Sequence, residues 1–210
     1  MTNPHAERIP AMVADVRRHA AYAEHPWDCD AISWPDLPKG ATVVEVGGYT
    51  GRWSLQMVER YDVRLFAFEP QPWAAATCRA ALGDRARVLA YALGDRFDIL
   101  PMADWETDGC NFIEPSDGAH VAPVHEMEAA FEELGITHVD LLLMNIEGYE
   151  YTLLPHMLDR GLLPQRLVVQ FHIFDDYGVG MGRIFDRMAA AGYRVLWTYG
   201  VVLTAWERKE

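Results

Sequence analysis

The sequence contains few of the features that mark secreted or membrane-embedded proteins. Its three cysteines, Cys29, Cys78 and Cys110, are far apart and odd in number, so neither a disulfide framework nor a Cys-x-x-Cys zinc site is indicated. No apolar run reaches the ~18 residues that a membrane span needs, and the N-terminal MTNPHAERIP lacks a signal-peptide pattern. We therefore expect a soluble, cytoplasmic protein without a membrane partner.

Positive charge is also scarce. The chain has 18 Lys and Arg residues against 31 Asp and Glu residues, which gives a formal net charge of -13. Because proteins hold nucleic acids largely through cations that neutralise phosphates, this balance argues against a nucleic-acid partner. Half of the 210 residues are hydrophobic, and a chain of this length can bury a substantial core in one domain.

The pattern of apolar residues changes at about residue 40. Residues 9–23 have the spacing of a helix. Residues 24–40 are rich in Pro and Trp and are interpreted as an irregular, lid-like segment, with simple packing against the domain as the alternative. From residue 41 to residue 210, apolar strands alternate with amphipathic helices, which is typical of a mostly parallel sheet with helices on both faces. We predict an α/β fold, with residues 1–40 preceding a single domain at 41–210.

The individual elements follow from the same periodicity. Predicted strands cover residues 41–48, 62–70, 86–95, 138–148 and 165–174, and an antiparallel pair lies within 193–208. Predicted helices cover residues 51–61, 72–82, 125–135, 149–163 and 182–193. Ligands of such sheets bind beyond the carboxyl ends of the strands, so the residues that follow each strand are the candidate site.

The first predicted strand ends in VVEVGGYTG, where glycines allow a sharp turn and a close backbone approach to a ligand. The order of Gly47, Gly48 and Gly51 is G-G-x-x-G, which differs from the dinucleotide fingerprint G-x-G-x-x-G, and no Gly-Lys-Ser/Thr follows. Glu45 is a poor neighbour for a phosphate and suits a ligand with a positive charge. The alternative is a tight turn with a purely structural role.

Acidic residues also lie at the carboxyl ends of the second and third predicted strands. Glu69 can accept hydrogen bonds from both hydroxyl groups of a ribose, although it can also cap the next helix. Backbone amides of residues 92–95 and the side chain of Asp95 can contact an adenine edge. Together, Glu45 and Glu69 indicate a nucleoside that carries a cationic, phosphate-free group, and S-adenosylmethionine has this composition.

The segments EVGGYTG, FAFEPQP, VLAYALGD and VDLLLMNIEGYE resemble the four signature segments of the FkbM family of S-adenosylmethionine-dependent methyltransferases. They occur in the same order and at suitable spacing from about Val43 to Tyr193. The resemblance implies the class I methyltransferase fold, which is a Rossmann-like sheet of seven strands with the last strand antiparallel. It also implies methylation of hydroxyl groups on sugars or polyketide natural products.

The same resemblance implies roles for the residues at the strand ends. The glycine segment would hold the methionine part, Glu69 the ribose and residues 92–95 the adenine side, with Asn145 under the sulfonium of S-adenosylmethionine. The expected cofactor-binding residues are Glu45, Gly47, Gly48, Tyr49, Gly51, Glu69, Pro70, Ala92, Leu93, Asp95 and Asn145.

Two positions depart from the family pattern. Asn145 stands where family members usually carry Asp, and Gln170 stands where they commonly carry Glu. Both changes remove a negative charge while keeping the shape of the side chain. We therefore expect no metal ion, and a binding protein that retains the methyltransferase fold without turnover is an alternative.

Methyl transfer to an alcohol needs a base as the hydroxyl proton leaves. His172, at the end of the fifth predicted strand, is the first candidate because imidazole titrates near neutral pH; its alternative is a structural histidine. Glu147 can orient His172 or cap the following helix, and Asn145 completes the expected catalytic set.

We expect O-methylation of a small hydroxylated molecule in natural-product biosynthesis. Methyl transfer to a nitrogen or a carboxylate is an alternative. An NAD-dependent enzyme is disfavoured by the order of the glycines. A homodimer is compatible with the sequence.

Overall fold

The computed structural model describes residues 33–102, 120–172, 178–199 and 203–209. The strands, β1 to β10 in chain order, are Ala41–Val46, Val63–Phe68, Ala86–Leu89, Ala92–Gly94, Asp98–Met102, His120–Glu126, Leu141–Met144, Arg166–Gln170, Tyr193–Tyr199 and Leu203–Arg208. The helices, α1 to α5, are Arg52–Arg60, Pro72–Leu82, Met127–Leu134, Glu150–Arg160 and Gly178–Ala190. The predicted helix over residues 9–23 and most of the lid-like segment lie outside the described residues.

The main sheet has seven strands in the order β3-β2-β1-β7-β8-β10-β9. Its first five strands pair in parallel, and β10 pairs antiparallel with both β8 and β9. This topology confirms the predicted Rossmann-like sheet with an antiparallel last strand. It also brings the carboxyl ends of β1, β2 and β7 together at one edge, where the predicted ligand-binding residues follow.

Helices cover both faces of the main sheet. Alternate residues of β1 point to opposite faces, as the period of a strand requires. Val44 packs in a core with Leu153 of α4 and Ile184 of α5. On the other face, Val43 packs with Leu55 of α1 and Ala75 of α2. The unbroken Val-rich pattern of β1 is therefore explained by burial on two sides.

The prediction of one strand over residues 86–95 was wrong. The chain bends at Ala90 and Tyr91, so that β3 joins the main sheet while β4 pairs with β6 in a second sheet of order β4-β6-β5. The ring of Tyr91 stacks on His125 with 3.9 Å between ring centroids. The contact joins the bend at Tyr91 to β6, which contains His125. An alternating apolar pattern shows that a strand is present, but it does not show that its partner changes midway.

Two helices differ in detail from the prediction. Helix α4 begins at Glu150, one residue after the predicted start, and keeps Pro155 in its interior. Helix α5 begins at Gly178, four residues before the predicted start, because its glycines weaken the helical signal without preventing the helix. In the part of the chain that the structure describes, no helix is both long and apolar enough to cross a membrane.

Candidate active site

A cavity lies at the carboxyl ends of β1, β2 and β7, next to β4 and the end of β5. It is lined by Val46, Gly47, Tyr49, Phe68, Glu69, Pro70, Gln71, Ala92, Leu93, Met102, Asn145, Ile146, Glu147 and Tyr149. Most of the residues predicted to bind a cofactor are therefore brought together. None of the described lining residues is a Lys, Arg or His, whereas Glu69 and Glu147 are acidic. A phosphate group would meet no cationic side chain from this set.

Gly47 allows the loop after β1 to lie directly against the loop after β7. Its φ of +87° favours glycine, and a Cβ at this position would lie 1.9 Å from the backbone oxygen of Asn145. Gly51 also has a left-handed backbone, and a Cβ there would lie 2.8 Å from Sγ of Cys78. The two glycines are thus required by close approach as well as by backbone conformation.

Glu69 is held at the end of β2 by backbone amides. Its Oε2 atom accepts a hydrogen bond from the N–H of Tyr49 at 2.7 Å, and its Oε1 atom accepts one from the N–H of Gln71 at 2.8 Å. Burial raises the pKa of Glu69 to about 7, although both amide hydrogen bonds act to lower it. Each carboxylate oxygen can accept a second hydrogen bond, so the carboxylate is positioned to receive a pair of hydroxyl groups.

Glu45 lies behind the glycine loop and is not one of the described residues that line the cavity. The hydroxyl group of Ser54 donates a hydrogen bond to its Oε2 atom. Burial raises the pKa of Glu45 to about 8; the hydrogen bond from Ser54 lowers it, and the charge of Glu69 raises it further. A cationic ligand above the loop would favour the ionised form of this carboxyl group.

Three other predicted residues are also set back from the cavity. Gly48 donates its N–H to the backbone oxygen of Phe68 at 3.0 Å, and Gly51 packs against Cys78. Asp95 accepts a hydrogen bond from the hydroxyl group of Tyr149 at 2.8 Å. It is therefore Tyr149, rather than Asp95, that faces the cavity at the end of β4.

Among the described residues, one side-chain oxygen of Asn145 has no hydrogen-bond partner. This atom, Oδ1, is buried, although the residue lines the cavity. An unsatisfied buried acceptor costs about 1–3 kcal/mol. A bound molecule with a donor or a positive charge near the end of β7 would remove this cost.

His172 lies between two carboxylates at the end of β8. Its Nε2 atom is 3.1 Å from Oε2 of Glu147, and its Nδ1 atom is 3.3 Å from Oε1 of Glu150. Burial lowers the pKa of His172, but the hydrogen bonds and charges of both glutamates outweigh burial and raise it to about 9. Of these three residues, Glu147 is the one that lines the cavity.

Glu150 was not among the residues predicted for the site. The side chain is fully buried and connects two loops: Oε2 accepts the N–H of Gly148 at 2.8 Å, and Oε1 accepts the N–H of His172 at 2.7 Å. An acid in the first turn of a helix looks like an ordinary capping residue. The relation to His172 depends on the pairing of β7 with β8, which the sequence does not show.

A cluster of three side chains has the composition of a possible metal site. Its potential ligand atoms lie within 4.8 Å of one another and belong to Glu126, Glu128 and His156. The guanidinium of Arg160 pairs with both glutamates, at 3.2 Å from Glu126 and 2.6 Å from Glu128. The three residues do not line the cavity. We interpret the cluster as an ion-pair network between β6, α3 and α4, and the absence of a metal from the reaction stays a prediction.

The strand order, the glycine loop and the acid at the end of β2 define a class I methyltransferase. Residues 45–195 match the Methyltransferase FkbM domain, which is more than two thirds of the chain. The chain belongs to the FkbM family of methyltransferases, as the resemblance of its four segments implied.

Individual relatives are more distant. The 2-O-methyltransferase NoeI of Sinorhizobium fredii is 29% identical in an alignment of length 133 that covers 51% of this chain and 54% of that protein. The match thus spans about half the length of this curated relative.

Solved structures share the fold at low identity. A proposed O-methyltransferase of Klebsiella pneumoniae has a TM-score of 0.55 and 14% identity, with 100% of this chain and 92% of that chain covered. The O-methyltransferase of Bacillus cereus in complex with SAH has a TM-score of 0.54 and 12% identity, with 94% and 91% covered. At these identities the likeness shows the fold alone.

Proposed function

We propose that this protein is an S-adenosylmethionine-dependent methyltransferase that methylates a hydroxyl group of a small molecule. The observation that carries the proposal is the buried carboxylate of Glu69, which two backbone amides hold at the edge of a cavity whose described lining has no cationic side chain. This arrangement suits a ribose without phosphates. Nucleotides with a polyphosphate would instead need cations or a phosphate-binding loop.

The described residues fit S-adenosylmethionine along the length of the cavity. Glu69 would hold the ribose, and the apolar side chains of Leu93 and Met102 would lie on the adenine side. The methionine end would lie at Gly47 and Asn145, where a donor from the ligand would satisfy the buried Oδ1 atom of Asn145. When bound, S-adenosylmethionine supplies an electrophilic methyl group.

Transfer to oxygen is supported by the family and by one relative. NoeI is a 2-O-methyltransferase, although it matches this chain over only about half of its length. The sequence-based expectations of a sugar or natural-product acceptor, of no nucleic-acid partner and of a cytoplasmic location belong to this proposal. Because the main difference between related methyltransferases is the acceptor pocket, family membership alone does not identify the acceptor.

A labelling experiment tests the proposal and its alternatives. The protein would be incubated with methyl-tritiated S-adenosylmethionine and with acceptors that carry hydroxyl, amine or carboxyl groups, such as methyl α-D-glucopyranoside, catechol, an aminosugar and a uronic acid. We expect label in a product that survives mild base, as an ether does and a methyl ester does not. Label only in amines or in base-labile products would contradict O-methylation. Cofactor binding without transfer to any acceptor would favour a binding protein.

A further inference from the structure

The loop after β7 presents the acidic side chain of Glu147 to the cavity from an unusual backbone conformation. Glu147 has a φ of +52°, and the next residue, Gly148, has a φ of +106°. A left-handed backbone at a residue other than glycine costs roughly 1–2 kcal/mol, and such conformations are concentrated at functional sites. The turn places Glu147 along the cavity wall, next to Ile146 and Asn145.

The geometry of His172 leaves it poorly placed to take a proton from a ligand. Each ring nitrogen faces a carboxylate, with Nε2 at 3.1 Å from Glu147 and Nδ1 at 3.3 Å from Glu150. Gln170 also contacts the ring, with its Nε2 atom 3.4 Å from the imidazole Nε2 atom. With both nitrogens donating, the ring is an imidazolium without a free lone pair.

Glu150 explains why this arrangement is fixed. Its carboxylate accepts the backbone N–H of Gly148 and the backbone N–H of His172, and it also contacts the imidazole ring. One fully buried side chain therefore sets the position of the loop that carries Glu147 and of the ring that contacts Glu147. The result is a chain of contacts from the core to the cavity: Glu150, then His172, then Glu147.

We propose that Glu147 is the catalytic base that receives the proton of the acceptor hydroxyl, and that His172 and Glu150 are positioning residues. The inference rests on the proposed O-methyltransferase function. In this step the O–H bond of the acceptor breaks, its electron pair stays on oxygen, and the proton moves to a carboxylate oxygen of Glu147. The acceptor oxygen forms its new bond to the methyl carbon, and the electron pair of the former S–CH₃ bond remains on sulfur.

The first test measures the unloaded protein. The pKa of His172 would be followed by NMR of the imidazole ring, with the signal assigned by its loss in H172Q. Glu147→Gln keeps the size of the side chain but removes one of the two carboxylates that face the ring, so the pKa of His172 should fall by about one unit. An unchanged pKa would overturn the proposal, because Glu147 would then not be the partner of the ring.

The second test measures turnover with whichever of methyl α-D-glucopyranoside and catechol the wild-type protein methylates. Glu147→Gln should lower kcat by about 10²-fold or more, while the Kd for S-adenosylhomocysteine stays within about twofold. Glu147→Asp, which keeps a carboxylate, should recover part of the loss. A kcat of Glu147→Gln within twofold of the wild type would refute the assignment while leaving the methyltransferase function intact.

The pH profile separates the two candidate bases. If Glu147 is the base and His172 must be an imidazolium to hold it, kcat should be level near neutral pH and should fall above about pH 9, where His172 loses its proton. In H172Q, kcat should be lower than in the wild type at neutral pH and should not fall above about pH 9. A wild-type kcat that instead rises toward pH 9 would identify His172 as the base and contradict our assignment. If the wild type methylates no alcohol, the proposed function fails, and the NMR result still tests the contact independently.

Discussion

At the scale of the residue, Gly40 and Gly47 have similar left-handed backbones in different surroundings. Their φ values are +78° and +87°. Apart from Gly40 and its two chain neighbours, no described residue has an atom within 4 Å of a Cβ built at Gly40, whereas a Cβ at Gly47 would lie 1.9 Å from the backbone oxygen of Asn145. A substitution at Gly40 therefore introduces backbone strain alone. A substitution at Gly47 introduces the same strain and also disrupts the contact between the two loops of the active site.

Gly47→Ala should lower the free energy of unfolding by about 2 kcal/mol more than Gly40→Ala does, because backbone atoms cannot move aside as a flexible side chain can. Both variants would be compared with the wild type by equilibrium urea unfolding. Gly47→Ala should also weaken S-adenosylhomocysteine binding, and Gly40→Ala should not. Equal losses of stability in the two variants would show that the loops are not in the close contact described here.

Glu45 makes stability depend on pH in a predictable direction. Burial raises its pKa from 4.5 to about 8. Between these values the folded protein retains a proton that the unfolded chain has released, so the free energy of unfolding falls as pH rises. The buried Glu69, with a pKa of about 7, acts in the same direction over a narrower range.

Glu45→Gln should therefore be more stable than the wild type at about pH 8, by on the order of 2 kcal/mol, and similar to it at about pH 5. Gln is uncharged and can still accept the hydrogen bond from Ser54. The measurement is urea unfolding of both proteins at the two pH values. A stability difference that does not change with pH would mean that Glu45 is not held as a buried, protonated carboxyl group.

At the scale of the element, the predictions were accurate where one residue pattern decides the structure. The Val-rich run of β1 and the Ala-rich α2 were located from periodicity and composition alone. The single strand predicted over residues 86–95 was wrong, since its two halves, β3 and β4, pair in different sheets on either side of a bend at Ala90 and Tyr91. The connection between Glu150 and His172 was also missed, because it joins elements that are paired through the sheet.

Glu150 provides the element-scale prediction. Glu150→Ala should lower the free energy of unfolding by about 3 kcal/mol, because it removes the acceptor for two backbone N–H groups and leaves the His172 imidazolium with one carboxylate. Hydrogen exchange should increase at Gly148 and at His172, where the loops after β7 and β8 are joined. Glu132→Ala, at an exposed position on α3, is the matched control and should change stability by less than about 0.5 kcal/mol. Similar losses in the two variants would contradict a structural role for Glu150.

At the scale of the whole molecule, the sequence was sufficient for the fold class and the family. Alternation of strands and helices predicted the sheet, and four short segments predicted the FkbM family, which the match over residues 45–195 confirms. The sequence could not show which of the predicted residues line the cavity and which lie behind its wall. Glu45 and Asp95 were expected to bind the cofactor, and neither is among the described residues that line the cavity. Distance from a cavity depends on packing between elements, and a linear pattern contains no measure of it.

The most direct test of this account is calorimetric titration of the protein with S-adenosylhomocysteine and, separately, with NAD. We predict saturable binding of S-adenosylhomocysteine, a loss of affinity of at least about tenfold in Glu69→Ala, equivalent to 1.4 kcal/mol, and no heat of binding from NAD. Glu59→Ala, at an exposed position on α1, is the matched control and should bind as the wild type does. Binding of NAD in place of S-adenosylhomocysteine, or an unchanged affinity in Glu69→Ala, would contradict the cofactor site described here.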